Sequence, residues 1–198
     1  MTAVRQGEDL TRADLFRAEL TGERFVDCRL VEADLSEAVL TGCVFERCDL
    51  SGADLASATL TGCALLTCRL ERSRLFETAL TDCKLTGSSF LRTEARTMRI
   101  SGGDWSYVTA RGEDWHGLGL AGLRLVEADL SGTDLRKADL AGADLSHARL
   151  RGVRLAGADL RGARLDGSDV DSVDWRDVRI DLAQAVLLAR ARGAVLED

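Results

Sequence analysis

Every fifth residue from Leu10 to Ile180 is apolar, through 35 consecutive positions without an insertion or deletion in the count. Of these, 24 are Leu, and Phe25, Phe45, Phe90, Trp105, Trp115 and Trp175 are the aromatic members. A helix spaces its apolar residues at three and four, and a half-buried strand at two, so a strict five fits neither. It fits a solenoid of short turns in which each unit buries its inward side chains against the next. With each such position called i, residue i−2 is usually small, as at Ala13, Ala33, Cys48, Ala138 and Ala158. Two inward residues per pentad therefore build the core. The other three are mostly Asp, Arg, Glu, Ser, Thr or Gly, and 16 of the 19 glycines stand at i+2. That placement predicts a corner, where glycine tolerates backbone angles that other residues resist.

A second period of twenty overlies the first. Leu-Thr-Gly recurs at 20–22, 40–42 and 60–62, with Leu-Thr-Asp at 80–82. Cys43, Cys63 and Cys83 form one series, and Cys28, Cys48 and Cys68 another. Four pentads per coil would stack each series in one interior column. The spacing contains no CxxC pair or Cys/His cluster, and His116 and His147 fall at outward positions, so the cysteines read as small buried thiols rather than metal ligands or disulfides.

Units such as Ala128-Asp129-Leu130-Ser131-Gly132, Ala143-Asp144-Leu145 and Ala158-Asp159-Leu160 resemble the pentapeptide repeat proteins. The resemblance implies an all-β solenoid, a right-handed quadrilateral β-helix, here over residues 8–180 after a lead-in at 1–7. With no Pro and no linker-like tract the chain reads as one elongated domain, about 40 Å long at about 4.8 Å per coil. The lead-in lacks the apolar run of a signal peptide and no segment is long enough to span a membrane, so the expected location is cytoplasmic.

Between Leu91 and Leu123 the consensus fades while the register survives. Trp105 and Trp115 beside Gly103, Ala95 and Ala110 read as volume compensation. Glu113, at an inward position, is the misfit: it either turns outward at a distorted corner or marks a bend in the rod.

After Ile180 the period stops. Residues 181–198 read as a capping and dimerisation helix, with Asp181 as N-cap, Gln184 three residues on, and Gly193 as the stop. Leu182, Ala185, Val186 and Ala189 share one face, while Leu187 and Leu188 widen the apolar surface beyond what covering the last coil needs. A simple cap over an open sheet edge is one reading. The other is a cap that also dimerises, through Leu182, Val186, Leu187, Leu188, Val195 and Leu196.

The stretch Trp175-Arg176-Asp177-Val178-Arg179-Ile180-Asp181-Leu182-Ala183-Gln184-Ala185-Val186 resembles the C-terminus of the MfpA type of pentapeptide repeat protein, with Qnr and AlbG relatives more distant. The resemblance implies a homodimer that binds DNA gyrase as a mimic of duplex DNA, inhibits supercoiling, and extends to protection against quinolones or topoisomerase-poisoning toxins. The unbroken register matches the loop-free MfpA type and departs from the Qnr proteins, which carry projecting loops.

The net charge of −7, from 26 Lys and Arg against 33 Asp and Glu, is far below the roughly 24 charges that 40 Å of duplex carries. Distribution, not total, must then supply any mimicry. Sorted by the period of twenty, one face presents Asp14, Asp34, Asp54, Arg74, Glu94, Asp114, Asp134, Arg154 and Asp174 at i−1. Seven acids in a ladder suit a basic DNA-binding groove. Equally, Asp at this position is common in such repeats and keeps a solenoid soluble, which leaves open a scaffold or adaptor role with a different protein partner. No nucleophile, phosphate loop or metal constellation surrounds either His, so neither an enzyme nor a cofactor is expected. Arginines interleaved with acids argue against nucleic-acid binding.

Overall fold

The computed structural model describes residues 4–195. All 35 period positions lie within, or packed against, one continuous apolar core. Four of the five that are only partly buried, Leu10, Leu15, Trp175 and Ile180, sit at the two ends of the rod, and Ile100 lies near its middle. Residue n pairs with residue n+20 in parallel on each of four faces, so four pentads make one coil.

Three-residue strands line two of the faces. The first face carries β1 (Val4–Gln6), β3 (Arg24–Val26), β5 (Val44–Glu46) and β7 (Ala64–Leu66). It continues through single bridges at Lys84, Asp104, Arg124, Asp144 and Arg164, nine levels in all. The fourth face carries β2 (Glu19–Thr21), β4 (Val39–Thr41), β6 (Thr59–Thr61), β8 (Ala79–Thr81) and β9 (Arg99–Ser101). In-register pairing stacks like on like: the rings of Phe25 and Phe45 lie 4.6 Å apart and 2° from parallel. β1 falls inside the expected lead-in, so the first coil begins at Val4. The sequence hid this because Arg5 occupies the inward place. Its guanidinium lies over the Phe25 ring, 5.6 Å from the centroid.

The corners are left-handed. From Gly7 to Asp177, 33 of the 35 i+2 residues have positive φ, and 17 of these are not glycine, with φ between 50° and 62°. Glycine marks the corner without being required there. Most corners are closed by a hydrogen bond from the N–H of i+3 to the carbonyl of i, as from Ala13 to Leu10 (3.0 Å) and Ala138 to Leu135 (3.1 Å). With the left-handed residue third, this is a type II turn.

Corners that follow the strands are open. Among the described residues, the N–H groups of all six cysteines lack the closing bond to the carbonyl three residues back. Five of the thiols instead point at the i carbonyl of the coil before: Cys28 to Arg5 (3.3 Å), Cys48 to Phe25 (3.3 Å), Cys63 to Leu40 (3.4 Å), Cys68 to Phe45 (3.4 Å) and Cys83 to Leu60 (3.3 Å). A weak S–H donor thus occupies the acceptor that an open corner leaves free. All six cysteines are free and buried, as the two series predicted. Burial pushes the Cys28 and Cys43 thiols up from their ordinary range.

At the middle the coil is repacked around Phe90, Trp105 and Trp115. Phe90 stacks on Trp105 at 5.4 Å, and Trp115 meets both edge-on near 6 Å. The compensating small residue is Gly103, whose backbone approaches Cys83 so closely that a Cβ would lie 2.2 Å from the Cys83 carbonyl oxygen. Glu113 does not turn outward. It is buried, and its carboxylate accepts from the backbone N–H of Thr93 (3.0 Å), the N–H of Arg92 and the Thr93 hydroxyl. Those N–H groups would otherwise bond as in the neighbouring coils. The carboxylate wedges open the corner at 90–93.

A 3₁₀ turn at Val170–Ser172 leads into α1 (Leu182–Ala191). The predicted capping box is present: Asp181 accepts from the Gln184 N–H (3.1 Å) while the Gln184 side chain accepts from the Asp181 N–H (2.9 Å). Gly193 ends the helix region with φ 84°. No helix among the described residues is long and apolar enough to cross a membrane.

Candidate partner-binding surface

The seven predicted ladder acids fall on the third face. Bridges join Asp14, Asp34, Asp54, Arg74 and Glu94 in one run, and Asp114, Asp134 and Arg154 in another. Each aspartate also has a local task. Its carboxylate accepts the backbone N–H two residues on: Phe16 to Asp14 (3.1 Å), Ser36 to Asp34 (2.9 Å), Ala56 to Asp54 (2.9 Å), His116 to Asp114 (3.3 Å), Arg136 to Asp134 (3.1 Å) and Arg176 to Asp174 (3.1 Å). These side-chain turns explain why Asp recurs at i−1 irrespective of any partner.

The ladder is not uniformly acidic. Arg74 binds Asp54 (2.6 Å) and approaches Glu94 (3.6 Å), Arg96 binds Asp114 (2.7 Å), and Arg176 binds Asp174 (2.5 Å). Asp134 is buried and held by both Arg136 (2.7 Å) and Arg154 (3.0 Å). The Arg136 hydrogen bond keeps the Asp134 carboxyl below its usual range, and Arg176 pulls Asp174 down to about 2. Among the described residues only Asp14 and Asp34 of the seven make no ion pair. The serine hydroxyl and N–H of Ser36 hold Asp34 low.

Sorting i−1 residues alone missed this, because three of the neutralising arginines, Arg96, Arg136 and Arg176, stand at i+1 on the adjoining corner. The signal was in the sequence. Residues 1–60 hold 12 acids and six Lys or Arg, whereas residues 61–100 hold four acids and seven Lys or Arg.

The helical cap differs from expectation in which side it buries. Gln184 and Leu188 face the last coil, with Leu187 packed against the core edge. The Gln184 amide donates to the carbonyl oxygens of Ala163 (2.8 Å) and Leu160, closing the end of the solenoid with hydrogen bonds rather than apolar contact. Asp181 adds a bond from the Gly162 N–H (2.7 Å). Leu188 is therefore turned inward. Leu182, 80% exposed, and Ala185 point away from the rod, with Val186 half-buried beside them; Val195 is exposed, and Leu196 lies outside the described residues.

Among the described residues no three His, Cys, Asp or Glu side chains are grouped as a metal would need.

The fold defines a class, the right-handed quadrilateral β-helix. The family model for pentapeptide repeats matches in eight copies across residues 28–65, 120–152 and 138–174. The chain belongs to the pentapeptide repeat family. A trypsin-treated form of QnrB1, a plasmid-mediated fluoroquinolone resistance protein, superposes with a TM-score of 0.87 at 23% identity, over 99% of this chain and 98% of that one. Full-length QnrB1 gives 0.84 at 22% identity, over 98% of each chain. HetL, a pentapeptide repeat protein involved in heterocyst differentiation regulation from the cyanobacterium Nostoc sp. strain PCC 7120, is 31% identical over 89% of this chain and 84% of its own, with a TM-score of 0.40. Sequence comparison with curated proteins gives no match.

Proposed function

We propose that this protein binds DNA gyrase, a type II topoisomerase, in place of duplex DNA, inhibits supercoiling, and does so as a homodimer joined through α1. The observation that carries the reading is the in-register acidic column at the N-terminal end of the third face, Asp14, Asp34 and Asp54, spaced one coil apart at about 4.8 Å. Regularly spaced carboxylates along a rod suit a basic groove that normally holds phosphates. The MfpA-like tail supports the same reading, and its exposed Leu182 with the half-buried Val186 beside it supplies a self-complementary stripe for tail-to-tail pairing. Pairing there places the two acidic ends farthest apart, where a saddle-shaped partner meets both. The cytoplasm is the compartment this role requires.

Charge reversal at Asp14 and Asp34 should abolish inhibition of plasmid supercoiling, and inhibition by the unaltered protein should weaken as salt rises. Leu182→Glu with Val186→Glu should give a monomer with weaker inhibition. Unchanged inhibition in the Asp14→Lys, Asp34→Lys variant would remove the acidic column from the mechanism. Fewer drug-induced cleavage events in the presence of a fluoroquinolone would add protection to binding. The arginine neutralisation of the later coils favours the second reading, a scaffold with another protein partner, which a pulldown free of topoisomerase subunits would support.

A further inference from the structure

The corner beside the acidic column changes character along the rod. Its i+1 residues run Phe16, Ser36, Ala56, Phe76 and then Arg96, His116, Arg136, Ala156, Arg176. Phe16 and Phe76 are exposed aromatics, at 44% and 47%, while Ser36 and Ala56 between them are half-buried and short. The two rings stand three coils apart, about 14 Å. They frame a slot with a low floor. Isolated surface apolar residues are ordinary, but these two share one register column and bracket only small residues.

The Phe16 ring has a fixed neighbour. Arg17 places its guanidinium 4.7 Å from the Phe16 ring centroid and is itself bound by Glu37 (2.7 Å). On its other side, away from the slot, Phe76 borders a groove lined with Thr93, Glu94, Arg96, Thr97 and Asp114, where the corner at Thr97 departs from the left-handed form. In place of a backbone carbonyl, the Thr97 hydroxyl accepts the Glu77 N–H (3.0 Å). Around the slot stand the carboxylates of Asp14, Asp34, Asp54, Glu37 and Glu77 against two guanidiniums, Arg17 and Arg74. Apolar ends within a net negative frame have one complement.

We infer that this corner is the docking slot for a cationic segment of a protein partner, one that seats large apolar side chains against Phe16 and Phe76 while its lysines or arginines meet the flanking carboxylates. The slot accommodates about four residues of extended chain or about ten of helix. The inference rests on the gyrase reading and sharpens it: the contact centres on aromatic anchors in the first four coils, and the acids orient the segment around them.

The test compares the unaltered protein with Phe16→Ala/Phe76→Ala, with Ala56→Arg, which fills the slot and sets a positive charge on its floor, and with Tyr107→Ala, an exposed aromatic on a different corner. Supercoiling inhibition and direct binding to purified gyrase are measured, with thermal melting as a check on folding. The expected result is a loss of at least about tenfold for the double variant and for Ala56→Arg, with Tyr107→Ala unchanged and all melting points similar. Inhibition by the unaltered protein together with full activity of both slot variants overturns the inference and leaves the gyrase reading standing. No inhibition by the unaltered protein overturns both. A change in sedimentation of the double variant alone would make the corner a self-contact, and would also overturn it.

Discussion

Residues 4–83 and residues 104–165 stack coils of the same length on the same four faces, yet they make their corners differently. In the N-terminal coils two corners of every four stay open, strands extend to three residues, and from Cys28 to Cys83 thiols fill the inward i−2 places of the open corners. In the C-terminal coils Ala, Val or Leu takes those places, the corners close as type II turns, and each face is reduced to single bridges. The outer surfaces divide along the same line. On the third face, among the described residues, Asp14 and Asp34 of the first coils make no ion pair, whereas Asp114 and Asp134 of the later coils are paired with arginines. A repeat can therefore conserve its core geometry while carrying two separate surface chemistries.

The largest expected effect comes from breaking the junction between these regions. Trp105→Ala removes a fully buried indole that stacks on Phe90 and should cost about 3–5 kcal/mol. Because stability in a solenoid is nearly a sum over neighbouring coils, the variant should unfold in two steps by circular dichroism. A single transition at the original midpoint would mean the aromatic plug does not couple the halves.

A smaller change addresses the open corners themselves. Cys48→Ala leaves the Phe25 carbonyl without its thiol donor and should cost about 1 kcal/mol in urea denaturation. Cys48→Ser should cost less, since Ser88 already makes the equivalent bond to the Leu65 carbonyl at 2.8 Å. Equal losses for both would show that thiol volume, not donation, fixes the corner.

The smallest effect is on acid stability. Arg161 and Arg176 hold Asp159 and Asp174 at about 2, and Arg136 holds Asp134 low, so each folded carboxylate lies below its unfolded value. Groups lowered on folding stabilise above the unfolded pKa, and that contribution disappears as pH falls through the folded one. Melting temperature should stay level from pH 7 to about 5 and decline from about pH 4 toward 2. The decline should begin in the C-terminal coils, where these pairs are concentrated; an earlier loss of the N-terminal coils would contradict the comparison.

The period made the core legible from Leu10 to Ile180 because every inward place must be apolar, and the same logic located the cysteine columns and the Asp181 to Gln184 capping box. Other features were hidden where one residue type serves against its usual preference. Arg5 sets its guanidinium over the Phe25 ring in the first coil, Glu113 inserts a carboxylate between coils, and Gln184 seals the far end through hydrogen bonds. None of these follows from hydropathy. The acidic column was legible as a register but not as a field, because its neutralising arginines belong partly to the next corner.

Trp105 and Trp115 are both fully enclosed, and neither indole N–H has a hydrogen-bond partner among the described residues. Trp175, the third, sits half-buried near the last coil and donates to the Val170 carbonyl at 3.0 Å. The N-terminal coils contain no tryptophan. Ultraviolet emission from this protein is thus an optical gauge of position: a dry signal from the middle, a wetter one from the C-terminal end, and darkness where the exposed phenylalanines stand.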